Sequence, residues 1–274
     1  MSDVEGRRIA LLLEYDGTDF AGSQVQPGER TVQGTVEAAL EEFTGERERI
    51  AFAGRTDAGV HASGQVAALS TRSAHSPATF RDALNHFLPE DVAVRAAAET
   101  AADFDPRRHA RSRLYRYRIE DGLGAPRRSP LTRRRAWQVE RPLDASAMAE
   151  ALALLPRESR DWSAFAGAVA EDYPTVRTLL DARAERCGPH AVLVTLEADG
   201  FLPHQVRMTA GALQRVGAGR LSPREFAALV DGSPGSAGPA APPQGLTLVT
   251  VRYAPGTFVP GDRDASGDRD DWGQ

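Results

Sequence analysis

The sequence predicts an α+β protein made of two βαββαβ halves, and three observations carry that prediction. Apolar runs of strand length alternate with stretches of helical period, and the helices open on capping residues. The order strand, helix, strand, strand, helix, strand is met before residue 103 and again after residue 109. In such a split βαβ unit, two helices cover one face of an antiparallel sheet.

Residues 9–15 are an apolar run closed by the turn-forming Asp16 and Gly17, which reads as a buried strand. Thr31 is placed to cap a helix in which Val32, Val36, Ala39, Leu40 and Phe43 share one face. Residues 50–52 and 65–70 read as strands around a glycine-rich loop. Ser76 caps a second helix with Pro77 at its first position and Phe80, Leu84, Phe87 and Leu88 on one face. A strand over 92–98 completes the first half.

In the second half, 114–119 alternates as a strand and 143–155 has helical period. Strands over 178–187 and 191–198 flank a Gly188-Pro189 turn; helices over 206–216 and 223–230 precede a last strand over 246–253. The expected domains are 1–105 and 106–260, followed by an acidic tail, 261–274, with Asp262, Asp264, Asp268, Asp270 and Asp271, expected to be disordered. Residues 233–243, rich in Gly, Pro, Ser and Ala, have too few large apolar side chains to pack and read as a loop.

Composition narrows the function. All 33 basic residues among the 274 are arginine, so chemistry that needs a lysine amine is excluded: a P-loop cradle, a Schiff base, a pyridoxal phosphate anchor. Cys187 is the only cysteine, which removes internal disulfides and thiolate-rich zinc sites. The six histidines show no HxxxH or HExxH spacing, and carboxylate metal sites stay open. The early apolar run over 9–13 is far short of a signal sequence or membrane span, and a cytoplasmic protein is expected.

The net charge of −5 is unevenly spread. Residues 107–141 hold twelve arginines against Glu120, Asp121 and Glu140, a local +9. Arg111, Arg113, Arg116 and Arg118, interleaved with Tyr115 and Tyr117, would present phosphate forks beside base-stacking rings. A solvated charged face balanced elsewhere is the competing reading, and the two stand about even.

Chemistry points to Gly54–Ala62, GRTDAGVHA, with Ser63 and Gly64 following. Its glycines permit tight turns and close approach by a ligand. Asp57 stands among small residues, and Arg55, two residues earlier, would lie on the same face of an extended chain and keep it ionised. Such a carboxylate can serve as nucleophile, base or stabiliser of a cationic sugar. An Asx turn for Asp57 and a packed or capping role for His61 are the commoner uses of those residues, so spacing alone leaves the function open.

The string GRTDAGVHASGQV resembles the catalytic loop of the TruA family of tRNA pseudouridine synthases. Weaker similarities follow in the family's order over nearly the whole chain: YDGTDFAGSQVQP with TVQGTVEAAL, ALNHFLPEDVAV, FDPRRHARSRLYRYRI, FLPHQVRMTAGAL and APPQGLTLVTVRY. The resemblance implies isomerisation of uridine to pseudouridine at positions 38 to 40 of the tRNA anticodon arm, by a homodimer of two ferredoxin-like halves with antiparallel sheets, a cleft between them and no cofactor. It implies that Asp57 is the catalytic aspartate, Arg55 helps flip the base, Tyr115 stacks on the flipped uracil and Arg207 pairs with Asp57. Otherwise Tyr115 reads as a core strand residue and Arg207 as a helix-end cation.

Arg111, Arg113, Arg116 and His61 complete the expected tRNA-contacting set. Ser23, Pro203, Gln205 and Met208 depart from the family's usual residues. Two alternatives remain: an inactive tRNA-binding protein of the same fold, and an unrelated hydrolase using Asp57 and His61.

Overall fold

A strand longer than the sequence suggested joins the two halves into one sheet. The computed structural model describes residues 6–122 and 129–257. The first half runs β1 (Arg7–Tyr15), α1 (Val32–Thr44), β2 (Ala51–Phe52), β3 (His61–Thr71), α2 (Pro77–Phe87) and β4 (Val92–Thr100). The second runs β5 (Ser112–Glu120), β6 (Trp137–Gln138), α3 (Ala145–Ala153), β7 (Ser159–Asp161), β8 (Val176–Arg186), β9 (Ala191–Ala198), α4 (Gln205–Gly217), α5 (Pro223–Ala228) and β10 (Leu246–Arg252).

Each helix starts where its sequence supplies an oxygen for the unpaired amides of its first turn. Thr31 Oγ1 accepts from Gly34 N at 3.2 Å, Ser76 Oγ from Thr79 N at 3.1 Å and Asp144 Oδ1 from Ala147 N at 2.9 Å. Ser222 and Glu225 form a reciprocal capping box at α5. α4 is the exception, preceded by His204 without a side-chain cap.

In the first half the strands lie in the order β4-β1-β3 with β2 against β3; in the second they lie β10-β5-β9-β8. Both are the same arrangement, with a fourth, first, third and second strand side by side and every pair antiparallel. The expected two separate antiparallel sheets are corrected here: the strands make one mixed ten-stranded sheet. β3 begins at His61 rather than at residue 65, and His61 and Ala62 pair in parallel with Thr247 and Leu248 of β10. Ser and Gly at 63 and 64 break the apolar run, so only pairing with a distant strand identifies them as strand residues.

One apolar cluster runs through both halves, from Leu11, Leu13, Leu40 and Phe80 to Tyr117, Ile119, Met148 and Leu213. Burying each such side chain is worth about 1.5–3 kcal/mol. The expected core face of α2 is trimmed, since Phe87 is 44% exposed at the helix end. The helix expected over 143–155 is shorter, because Asp144 caps it and Leu154 ends it. The strands β6 and β7, of two and three residues, escaped the sequence reading because so short a run has no period.

Residues 233–242 are a loop, but a packed one. Ala237 and Ala241 are buried, Ala237 N donates to Ala164 O at 3.0 Å, and Ala241 N donates to Arg207 O at 2.9 Å. Small residues let this backbone lie directly on α4, where a Cβ on Gly211 would come within 2.4 Å of Pro239 O. The predicted acidic tail lies outside the described residues. No helix among the described residues is long and apolar enough to cross a membrane.

Candidate active site

The parallel contact between β3 and β10 brings a loop of the first half against a helix of the second. Residues 53–60 enter β3, while α4 is tied to the strand-entry loop of β10. Buried polar side chains hold the first loop from behind. Gln65 Nε2 donates to Gly54 O at 2.8 Å and its Oε1 accepts from Gly54 N at 3.3 Å, so one amide takes the place of a strand neighbour. Ser23 Oγ accepts from Thr56 N at 2.9 Å while Ser23 N donates to Thr56 O at 3.0 Å. Tyr15 Oη lies 2.8 Å from Thr56 Oγ1. Burial pushes the Tyr15 phenol up to about 12, against the hydrogen bonds from Thr56 and Gln65, so it stays protonated at neutral pH.

A tight turn then presents Asp57, closed by Val60 N donating to Asp57 O at 3.1 Å and made possible by Gly59 at φ 78°. The Asp57 side chain remains 32% exposed. Arg207 Nη1 donates to its Oδ2 at 2.9 Å, while Arg207 Nε donates to Ala241 O at 2.8 Å, so the guanidinium is held at both ends. His204 Nε2 lies 3.6 Å from the same Oδ2. The cation paired with Asp57 is thus Arg207, 150 residues away in the chain. Arg55 is exposed and makes no ion pair with Asp57, which corrects the expectation that it keeps the carboxylate charged.

Tyr115 is buried with its ring edge-to-face on Phe201, centroids 5.3 Å apart. Its hydroxyl faces the Asp57 loop: a Cβ on Gly54 would lie 3.8 Å from it. Burial first, then the nearby Tyr15 and Asp57, push its pKa well above the ordinary phenol value.

The expected band of arginines around Tyr115 and Tyr117 is divided by the pleat. β5 pairs with β9 without a register shift, so Arg113, Tyr115 and Tyr117 share one face and Arg116 and Arg118 take the other. Arg113 turns inward and donates to Ala53 O, Arg107 O and Asp199 O at 2.9, 2.7 and 2.8 Å. Burial lowers its pKa, and the guanidinium serves as a clamp between segments rather than as a projecting cation. Arg111 is exposed and Arg116 half-buried. Arg127 and Arg128 of the basic run lie outside the described residues.

His61 is packed, at 5% exposure, with both ring nitrogens engaged: Nδ1 accepts from Gly17 N at 3.1 Å and Nε2 donates to Arg134 O at 2.8 Å. Those contacts correct its expected place among groups open to a ligand. Burial pushes its pKa below the usual 6.5, against the pull of Asp16. The unfolded chain therefore binds the proton more readily, and stability falls as pH drops below about 6.5 toward the folded value. Replacing His61 by Asn should flatten the melting temperature against pH in that window; an unchanged slope would show that other groups set it. The lowered carboxyls of Asp16 and Asp121 act only at lower pH, below the ordinary carboxylate range.

The departures from the family pattern are accommodated behind the site. Ser23 clamps the loop as described, Gln205 Oε1 accepts from Leu202 N at 2.8 Å, and Met208 is buried in the core. Sequence reasoning missed Gln65 and His204, because nothing in the neighbouring residues marks either one as part of a site. Among the described residues no cluster of three or more His, Cys, Asp or Glu side chains is arranged to hold a metal ion.

Residues 12–107 and 159–254 match a family model described as tRNA pseudouridine synthase. The chain is 46% identical over 250 residues to tRNA pseudouridine synthase A of Roseiflexus castenholzii, covering 90% of this chain and 91% of the relative. It is 45% identical over 254 residues to the protein of that name from Chloroflexus aurantiacus, with 91% and 90% covered. The same protein of Myxococcus xanthus is 45% identical over 252 residues, with 91% and 93% covered.

Proposed function

Because this chain belongs to the tRNA pseudouridine synthase family, we propose that it isomerises uridine at positions 38 to 40 of the tRNA anticodon arm, with Asp57 as the reacting carboxylate. The observation that carries this reading is the Asp57–Arg207 pair, 2.9 Å long and formed between the two halves. Residues 1–105 supply the carboxylate and 106–260 the arginine, as the two walls of one cleft. A homodimer in the cytoplasm, acting without a cofactor, completes the reading.

The chemistry asks for these groups. The N1–C1′ bond breaks, the uracil turns, and C5 bonds to C1′; the C5 proton is lost and N1 gains one. An ionised carboxylate at C1′ or C2′ serves either by adding to the sugar or by removing the 2′ proton. Arg207, held between Asp57 Oδ2 and Ala241 O, serves to orient the carboxylate. Extruding a base costs a few kcal/mol of stacking. Exposed Arg55 at the mouth of the loop is suited to fill the vacated place, and Tyr115 to face the flipped ring.

Mass-shift mapping of pseudouridine in unmodified tRNA transcripts tests the reading, with label expected at positions 38 to 40 and nowhere else. Retained tRNA binding without label would favour the inactive RNA-binding alternative. The intact Asp57–Arg207 pair supports turnover. Arginines such as Arg111 and Arg116 are expected to make tRNA affinity fall steeply with salt. Changing both to Gln should make the log–log slope shallower by about 1.5, since each phosphate contact contributes roughly 0.7–0.9. An unmutated protein whose affinity ignores salt would refute this.

A further inference from the structure

Among the described residues, His204 is the only non-glycine residue at positive φ, at 61°, a conformation uncommon outside glycine, though His is among the side chains that adopt it more readily. It also stands where a helix usually begins with Ser, Thr, Asp or Asn, yet gives α4 no side-chain cap. Local convenience therefore does not explain this residue here, and an outlier of this kind is a reason to ask what it serves. The turn around it is firmly held: Gly167 N donates to Pro203 O at 2.9 Å and Gln205 N to Leu202 O at 3.1 Å. Gly167 leaves room for the ring, since a Cβ there would come within 2.6 Å of His204 Nδ1.

That turn aims the imidazole at the reacting carboxylate. His204 Nε2 lies 3.6 Å from Asp57 Oδ2, and the side chain stays 46% exposed. Arg207 reaches the same oxygen at 2.9 Å. Both groups thus converge on Oδ2, and among the described residues no donor is hydrogen-bonded to Oδ1.

We propose that His204 is a positioning residue: with Arg207 it fixes the Oδ2 edge of Asp57, so that Oδ1 is the oxygen presented to the ribose. This rests on the reading of Asp57 as the reacting group. One hydrogen bond from Arg207 leaves the carboxylate free to swing about that contact, and a second group against the same oxygen limits the swing. Misplacing a reacting atom by about 1 Å can cost on the order of 100-fold in rate.

The test compares His204→Gly, His204→Asn and His204→Gln for melting temperature and for kcat and KM on tRNA transcript. Glycine removes the ring and tolerates the backbone, and Asn is the side chain that best accepts this conformation. Both should melt at or near the unmutated temperature, keep KM within about twofold and lose roughly 10- to 100-fold in kcat. Gln, whose amide nitrogen reaches about as far as Nε2, should recover most of the loss. Glycine and Asn variants with unmutated kcat would overturn the proposal, as would a Gln variant no faster than the glycine one. Asp57→Ala is assayed beside them: an active Asp57→Ala would overturn the reading of the site itself, whereas an inactive one beside a fully active His204→Gly would overturn only the role of His204.

Discussion

Asp57→Ala is expected to remove pseudouridine formation, by at least about a thousandfold, while tRNA binding and folding survive. The loss is large because no neighbouring group can replace the carboxylate: the side chains about it are Arg207 and His204, neither of which is an anion. Folding survives because the loop is held by Ser23, Gln65 and Tyr15 through its backbone and Thr56, not through Asp57. The guanidinium of Arg207 loses a partner but keeps Ala241 O. With the pair partly open to solvent, the cost falls well below that of a fully buried ion left alone, about 1 kcal/mol. Asp57→Asn separates charge from shape, since it still accepts from Arg207; it should be as inactive as alanine. Label from either variant at more than a tenth of the unmutated rate would remove Asp57 from the chemistry.

The Asp57 loop stood out in the sequence as a candidate because glycine, small residues and one carboxylate are a local signal. The partner of Asp57 was not, from spacing alone. Two residues of separation suggested Arg55, and a nearest-neighbour argument cannot see a guanidinium delivered by a helix 150 residues later. Only the likeness of FLPHQVR to a family motif named Arg207. His204 lies within that same string, but the room for its ring beside Asp57 is left by Gly167, on a separate segment.

The arginines teach a different lesson. That Arg113 and Arg116 face opposite ways is written in their numbers, since residues of unlike parity in a regular strand point to opposite faces. Counting charge over the segment hid this. That Arg113 turns onto the carbonyls of Ala53, Arg107 and Asp199 is not so written, because three separate segments supply them. Likewise the alternation of apolar residues disclosed both βαββαβ halves, but not their union, which depends on two residue pairs between β3 and β10.

That union makes Gly64→Ala a strongly destabilising substitution. Gly64 is buried in β3, and an added Cβ would lie 2.1 Å from Val249 O and 3.1 Å from Thr250 Cα. These are backbone atoms of β10, at the point where its register with β5 shifts between Leu248 and Thr250. No rotamer change relieves such a contact, so the strands must part. Overpacking of this kind costs on the order of 3 kcal/mol, which for a chain of this size lowers the melting temperature by about 10 °C. The same displacement acts on the site, because β3 is entered from the Asp57 loop and β10 from the loop that holds Arg207. The surviving folded fraction should therefore show a lower kcat, with tRNA affinity less affected. A variant that melts within about 2 °C of the unmutated protein would show that the two strands yield, and that the pairing of Asp57 with Arg207 does not depend on their close approach.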